Sequence, residues 1–341
     1  MIALGVDGGA SKTFAVTADE TGRLRGFGRG GCGNYEGPGL EAAMAEVLKA
    51  CSGALEGARV ERAQAGCFGL AGADFPEDFE MLEAAVRKLA VADDVRIYND
   101  TRIAFHAGSR RGYGAVVIMG SGMNAAAFAP DGRECRLPGE GYLFGDWGGA
   151  GSVGREVLHF VFRAHDGRGR PTALTPLALQ HLMAADMGDL TRKLYRGEIS
   201  SQAIAGLALL AFRAAADGDE VARVIVDRLA DETASAALAM LRRLGMQHDE
   251  CDVVLGGGIY KGAGPLLVDR ARSLIFAGAP RVDVIVPDVE PVIGAAILAL
   301  QQAGVTLDNP VRANLKQGND ELVAPQAVPS LDDRCESESA A

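Results

Sequence analysis

A chain of 341 residues, 48% apolar and 23% charged, has the size of two domains and the composition of a globular protein with a sizeable core. Its formal charge of -11 excludes general attraction to nucleic acid or an anionic membrane. A phosphorylated ligand would therefore need a local site of backbone amides, a lysine and a metal ion. The six cysteines (Cys32, Cys51, Cys67, Cys135, Cys251, Cys335) include no Cys-x-x-Cys pair, which argues against zinc and disulfide frameworks and for reduced cytoplasmic thiols. The start MIALGVDGG enters a strand at once, and no run of about 18 apolar residues occurs, so neither a leader nor a membrane span is expected.

In chain order, Ile2 to Val6, Thr13 to Ala18 and Arg23 to Phe27 read as three strands of an antiparallel meander, joined by short turns. Leu40 to Ala50 has helical spacing. Strand Cys67 to Leu70, helix Met81 to Leu89, strand Val95 to Tyr98 and helix Thr101 to Ala107 follow, giving the order βββαβαβα. That order recurs. Ala115 to Met119, Asn124 to Ala129 and Glu134 to Leu137 form a second meander, and strand Val253 to Leu255, helix Pro265 to Phe276, strand Val282 to Val286 and helix Val292 to Gln302 complete it. A helical insertion from about Gly151 to Gly245 interrupts this second unit, with start signals at Thr175-Pro176 and Ser200 and a stop at Gly245. A repeat this long predicts a duplicated α/β domain. The expected divisions are 1–112, 113–304 and a mostly unstructured polar tail over 305–341.

Two glycine-rich turns occupy matching places in the two units. They are Asp7-Gly8-Gly9-Ala10-Ser11-Lys12-Thr13 and Gly120-Ser121-Gly122-Met123-Asn124. Glycine lets successive amides approach phosphate oxygens, hydroxyls at Ser11, Thr13 and Ser121 add donors, and Lys12 adds charge. Either turn alone is equally a hairpin; their pairing favours phosphate binding. Neither fits the G-x-x-x-x-G-K-[ST] pattern of a P-loop. Gly256, Gly257 and Gly258 follow a strand and precede a helix, which suits either a nucleotide or close strand–helix packing. Asp100, in Asn99-Asp100-Thr101, is either a helix cap or a general base at a strand's carboxyl end. Capping also competes at Asp146. Asp7 and Asp288 end strands without a helix following at once, a placement better suited to holding magnesium. Asn34, in Gly31-Cys32-Gly33-Asn34, suits sugar-hydroxyl recognition or a left-handed turn.

These segments resemble the BadF/BadG/BcrA/BcrD-type ATPase family, in its N-acetylglucosamine kinase-like branch, within the actin, Hsp70 and sugar kinase superfamily. The resemblance rests on DGGASKT (7–13), GCGNY (31–35), YNDTRIAF (98–105), GSGMN (120–124), GYLFGDWGGAGSVGRE (141–156), LGGGIYKG (255–262) and EPVIGAAILAL (290–300), in family order. It implies two ribonuclease-H-like (actin-like ATPase) lobes around a cleft lined by Asp7, Asp100, Ser121 and Gly257, with the final helix supporting the first lobe. It further implies Mg2+ at Asp7, ATP phosphates at Gly8, Gly9, Ser11, Lys12, Thr13 and Gly120 to Gly122, and adenosine beside Gly256, Gly257 and Gly258. Asn34, Asn124 and Asp146 would hold sugar hydroxyls, and Asp100 would accept the proton of the attacking hydroxyl. The implied activity is ATP-dependent phosphorylation of N-acetylglucosamine, or of glucosamine or another hexosamine, by a cytoplasmic homodimer. Two departures, Met123 and Trp147, flank the implied sugar pocket. A different class within the same family, ATPases that activate dehydratases or reductases, needs cluster-ligating cysteines at a dimer interface; the spacing here offers no close pair.

Overall fold

The computed structural model describes residues 1–326. They divide into two units: Met1–Gly112 with the chain from Pro287 onward, and Tyr113–Val286.

The first unit is built on β1 (Ile2–Gly8), β2 (Thr13–Asp19), β3 (Leu24–Gly30), α1 (Leu40–Ala58), β4 (Ala63–Leu70), α2 (Pro76–Lys88), β5 (Ala92–Asn99) and α3 (Asp100–Gly108). Its sheet has the order β3-β2-β1-β4-β5. The meander β1-β2-β3 pairs antiparallel, while β1, β4 and β5 run parallel. Almost unbroken apolar runs in β1, β2 and β4 are what a sheet covered on both faces requires.

The second unit repeats that topology. Its elements are β6 (Gly114–Met119), β7 (Met123–Phe128), β8 (Glu134–Arg136), α4 (Gly149–His165), α5 (Leu174–His181), α6 (Met187–Tyr195), α7 (Ser201–Ala216), α8 (Glu220–Leu244), β9 (Asp252–Gly256), α9 (Gly258–Gly262), α10 (Pro265–Gly278) and β10 (Asp283–Ile285). The order β10-β9-β6-β7-β8 is the first sheet's order with each strand replaced by its counterpart, and the same pairs are parallel and antiparallel. Where α1 alone joins β3 to β4, the helices α4 to α8 join β8 to β9. Ser200 caps α7 by accepting from the Ala203 N–H, and Gly245 ends α8 at φ 75°. The start signal at Thr175-Pro176 is displaced: α5 begins at Leu174, and the Thr172 hydroxyl accepts from the Leu174 N–H instead.

Two expectations need correction. Helix α11 (Pro291–Gln302) groups with the first unit, as the resemblance implied for the final helix, so the boundary at 304 is the part that changes; the helix is buried along nearly its whole length against β1, β4 and α3. Gly5 of β1 and Gly294 of α11 allow this. A Cβ on Gly5 would strike the Ala296 backbone, and one on Gly294 the Ile103 carbonyl. The polar stretch after Gly304 also carries structure: helix α12 (Asn309–Gly318) and a π turn, Asn319–Val323. Val311, Leu315 and Val323 bury themselves in the same core as α11, which outweighs the weak helical tendency of the segment. Residues 327–341 of the expected tail, with Cys335, lie outside the described residues.

Candidate active site

Parallel strands β1, β4 and β5 end level with one another, in the register Gly8–Leu70–Asn99. Asp7 and Asp100 therefore stand at the same sheet edge, two strand spacings or about 10 Å apart along the backbone. This carboxyl edge is where ligand crevices form in α/β sheets. Asn99, not Asp100, caps α3: its Oδ1 accepts from the N–H and the hydroxyl of Thr101, at 3.0 and 2.6 Å. The Asn99 amide group donates to the Ala73 carbonyl and to Asp74 Oδ1. The cap is thus accounted for without Asp100, which occupies the first helical position.

Asp7 is a strongly perturbed carboxylate of this edge. Burial pushes its pKa up to about 7, the negative charges of Asp100 and Glu290 add to the rise, and Lys12 opposes it. The residue as a whole is half-buried. Glu290 is the site residue that the motif reading passed over. It stands at the N-cap position of α11 without a side-chain capping bond, and its charge bears on Asp7 because Gly5 and Gly294 let that helix lie on β1 and α3. Asp288, by contrast, is exposed and paired with Lys316, so it is not part of this group.

The turn after β1 closes on the Gly9 N–H to Lys12 carbonyl bond at 3.0 Å, and the Gly33 N–H donates to the Gly9 carbonyl at 2.9 Å. Ser11 is exposed, and the Lys12 ammonium lies 4.3 Å from the centre of the Phe14 ring. Thr13 departs from the expected phosphate-facing role. It is fully buried, and its hydroxyl donates to the Gly31 carbonyl at 2.9 Å. Gly8 is fixed by packing, since a Cβ there would lie 2.6 Å from Leu70 Cδ2. Asn34 follows this packed bend without a left-handed φ. Its Oδ1 accepts from the Glu36 N–H and its Nδ2 donates to Glu36 Oε2, both at 3.0 Å, an Asx turn that leaves one amide hydrogen and one lone pair over.

In the second unit, the carbonyls of Gly120 and Ser121 accept from the Ala150 and Gly151 N–H groups at the start of α4, at 2.8 and 2.9 Å. The turn's outer face is open. Ser121 and Gly122 are exposed, and a Cβ on Gly120 or Gly122 would meet nothing within 4 Å. Neither glycine has a positive φ. Beside this turn, Gly257 at φ 98° packs against the Met119 carbonyl, and Gly258 faces open space. Asn124 spends its Oδ1 on the Ala125 N–H and lies against Gly139. Asp146 is buried, with its Oδ2 accepting from the Gly141 N–H at 3.1 Å, which closes the loop around the exposed turn Tyr142–Phe144. Met123 and Trp147 turn away from the open edge. Both belong to the core of this unit, where the Arg228 guanidinium stacks 3.9 Å from the Trp147 ring centre.

Two curated relatives match nearly end to end. An N-acetyl-D-glucosamine kinase of Dictyostelium discoideum is 28% identical over 312 residues, covering 88% of this chain and 98% of that protein. An N-acetylmuramic acid/N-acetylglucosamine kinase of Clostridium acetobutylicum is 28% identical over 299 residues, covering 87% and 97%. Among solved structures, the ROK family glucokinase of Streptomyces griseus, in complex with glucose and AMPPNP, has the same fold with a TM-score of 0.58 at 20% identity, covering 88% of this chain and all of that one. The two glycine turns, the Asn99-Asp100 strand end and the Glu290 helix start all fall inside residues 4–299, which match one family model throughout, and the chain belongs to the BadF/BadG/BcrA/BcrD ATPase family.

Proposed function

We propose that the protein transfers the γ-phosphate of ATP to the 6-hydroxyl of N-acetylglucosamine, with glucosamine or another hexosamine as the alternative acceptor. One observation carries the reading: a carboxylate at the sheet edge, Asp100, that the helix beginning there does not need as its cap, set near a second carboxylate, Asp7, of raised pKa. The names of the two curated relatives support the same class of substrate.

Asp100 accepts the proton of the sugar hydroxyl as its oxygen attacks the γ-phosphorus. The bond from that phosphorus to the β-phosphate oxygen breaks, and ADP leaves. The glycine turns Gly8-Gly9 and Gly120-Ser121-Gly122, with the Ser11 hydroxyl and the Lys12 ammonium, hold the phosphates, although the Gly9 and Gly120 amides donate within their own turns to the Lys12 and Gly122 carbonyls; Gly256, Gly257 and Gly258 flank the adenosine. The sugar is read by the remaining hydrogen-bonding capacity of Asn34 and Asn124 and by Asp146. The oxygen-only donors around Asp7 fit Mg2+, because a divalent cation relieves the repulsion among crowded carboxylates. Asp7 is the residue that would hold it, and a bound Mg2+ would neutralise charge on the phosphate oxygens.

The cysteines weigh against the activator class. Cys51, Cys67 and Cys251 are buried, and burial pushes Cys51 up to about 12 and Cys67 higher still, which suits inert core thiols and not ligands. The test of substrate is a comparison of kcat/KM with MgATP across a panel of hexoses and hexosamines. N-acetylglucosamine should rank first. A panel in which plain hexoses outrank every amino sugar overturns the assignment.

A further inference from the structure

Asn34 and Asp100, read as a partner of the sugar hydroxyls and as the proton acceptor, belong to opposite sides of the first sheet. Asn34 follows β3 and Asp100 follows β5, and these outermost strands lie four spacings, about 19 Å, apart. No ladder joins β3 to β5, so another element has to set the bend after β3 relative to the start of α3.

The loop after β4, residues 71–75, makes that connection. Its root is tied to the first glycine turn, where the Ala71 N–H donates to the Gly8 carbonyl at 2.9 Å. On the β5 side, the Asn99 amide donates to the Ala73 carbonyl at 3.2 Å and to Asp74 Oδ1 at 3.1 Å. The same Asn99 side chain caps the helix that begins with Asp100. On the β3 side, Gly72 lies against the Asn34–Tyr35 turn. Its φ is 81°, and a Cβ on it would come within 2.6 Å of Asn34 Oδ1 and 3.1 Å of the Tyr35 ring.

Asp78 locks this loop to the turn. It is buried and divides its carboxylate between two tasks. Oδ2 accepts from the backbone N–H groups of Asp74 and Phe75, at 3.2 and 2.7 Å, and Oδ1 accepts from the Tyr35 hydroxyl at 2.7 Å. A hydroxyl bonded to a carboxylate at that length is one of the stronger kinds of hydrogen bond. The bond to Asp78 pushes Tyr35 up to about 12, so its phenol stays protonated and keeps donating near neutral pH. Tyr35 adjoins Asn34 in the chain, so a shift of its ring moves the Asn34 amide.

We propose that Tyr35 and Asp78 are positioning residues. With loop 71–75 they form a brace that fixes the Asn34 amide against the Asn99-Asp100 strand end, so that the acceptor hydroxyl is held where Asp100 takes its proton. This rests on the kinase reading of Asn34 and Asp100, and the brace acts through those two residues.

The test uses the full-length chain with MgATP and N-acetylglucosamine, or whichever sugar of the panel ranks first, and measures kcat and KM separately for each substrate. Tyr35→Phe keeps the ring and removes only the hydroxyl. It should lower kcat/KM for the sugar about tenfold to a hundredfold, the scale of a misplacement of about 1 Å, and leave KM for ATP unchanged. In an Asn34→Ala background the same change should cost little more, because the two residues act as a unit. Tyr195→Phe, at the exposed end of α6, should change nothing. A folded Tyr35→Phe protein with wild-type sugar kinetics overturns the brace and leaves the kinase reading standing. So does a loss that falls equally on ATP, or one that is undiminished when residue 34 is alanine. Should Tyr35→Phe fail to fold, Gly72→Ala decides, since its methyl group would press on Asn34: an unchanged kcat/KM for the sugar overturns the proposal. A wild-type protein that transfers phosphate to no sugar of the panel overturns both the brace and the assignment of Asn34 and Asp100.

Discussion

The turn after β1 and the turn after β6 stand at equivalent points of two copies of one topology, but their glycines answer to different demands. In the first, a side chain on Gly8 would press on the buried Leu70 side chain, which would have to shift to admit it. In the second, Gly120 and Gly122 face open space with ordinary backbone angles, and nothing in the protein forbids a side chain. The first turn also carries charge, in Asp7 and Lys12, whereas the second offers backbone, one serine hydroxyl and a firm seat on the start of α4. Duplication thus gives one scaffold and two specialisations: a packed turn that brings carboxylates together, and an open turn shaped for something that approaches from outside.

The largest effect should come at the charged edge. Asp100→Asn should lower turnover by roughly a hundredfold to ten-thousandfold if Asp100 is the proton acceptor. Its melting temperature should stay near wild type, because Asn99 supplies the cap. The converse change, Asn99→Ala, should cost about 1 kcal/mol of stability in a denaturant titration. If Asp100→Asn instead destabilises the fold while keeping its turnover, the two residues have been assigned the wrong way round.

The two turns themselves come next. Gly122→Val should reduce nucleotide affinity about tenfold to a hundredfold, the value of one or two hydrogen bonds to a charged phosphate, as read by calorimetry. Its stability should move by no more than about 0.5 kcal/mol. Gly8→Ala should do the reverse, costing about 1–3 kcal/mol through overpacking against Leu70. Equal losses of stability in both variants would erase the distinction between packed and open turn.

The smallest effect is a pH dependence. The folded chain holds a proton on Asp7 between the ordinary carboxylate value of 3.8 and about 7, where the unfolded chain has released it. Folded Asp7 is therefore favoured at low pH, and its contribution is lost as pH rises through that window. Asp7→Asn should lie further above wild type in stability at about pH 7 than at about pH 4, and a constant gap would show that Asp7 titrates normally.

Much of this was legible in the residues. Apolar runs and turn signals give the strands, Gly245 gives the end of α8, and the repeated order gives the duplication, because these features are local or periodic. What escaped is long-range. Glu290 gains its place only through the packing of α11 on β1 and α3, and a run such as Asn309–Gly318 is too polar to announce a helix that buried Val311 and Leu315 hold in place. Met123 and Trp147 read as pocket residues because their neighbours do, but their side chains point the other way, into the core. Thr13 likewise spends its hydroxyl on the Gly31 carbonyl in the bend after β3.

The central claim is transfer of phosphate to a sugar, and 31P nuclear magnetic resonance of the wild-type protein with MgATP and N-acetylglucosamine tests it most directly. The account predicts that the γ-phosphate signal is replaced by a sugar phosphomonoester, with one ADP formed for each and no turnover without sugar. Release of inorganic phosphate in its place, or ATP left intact, would contradict it.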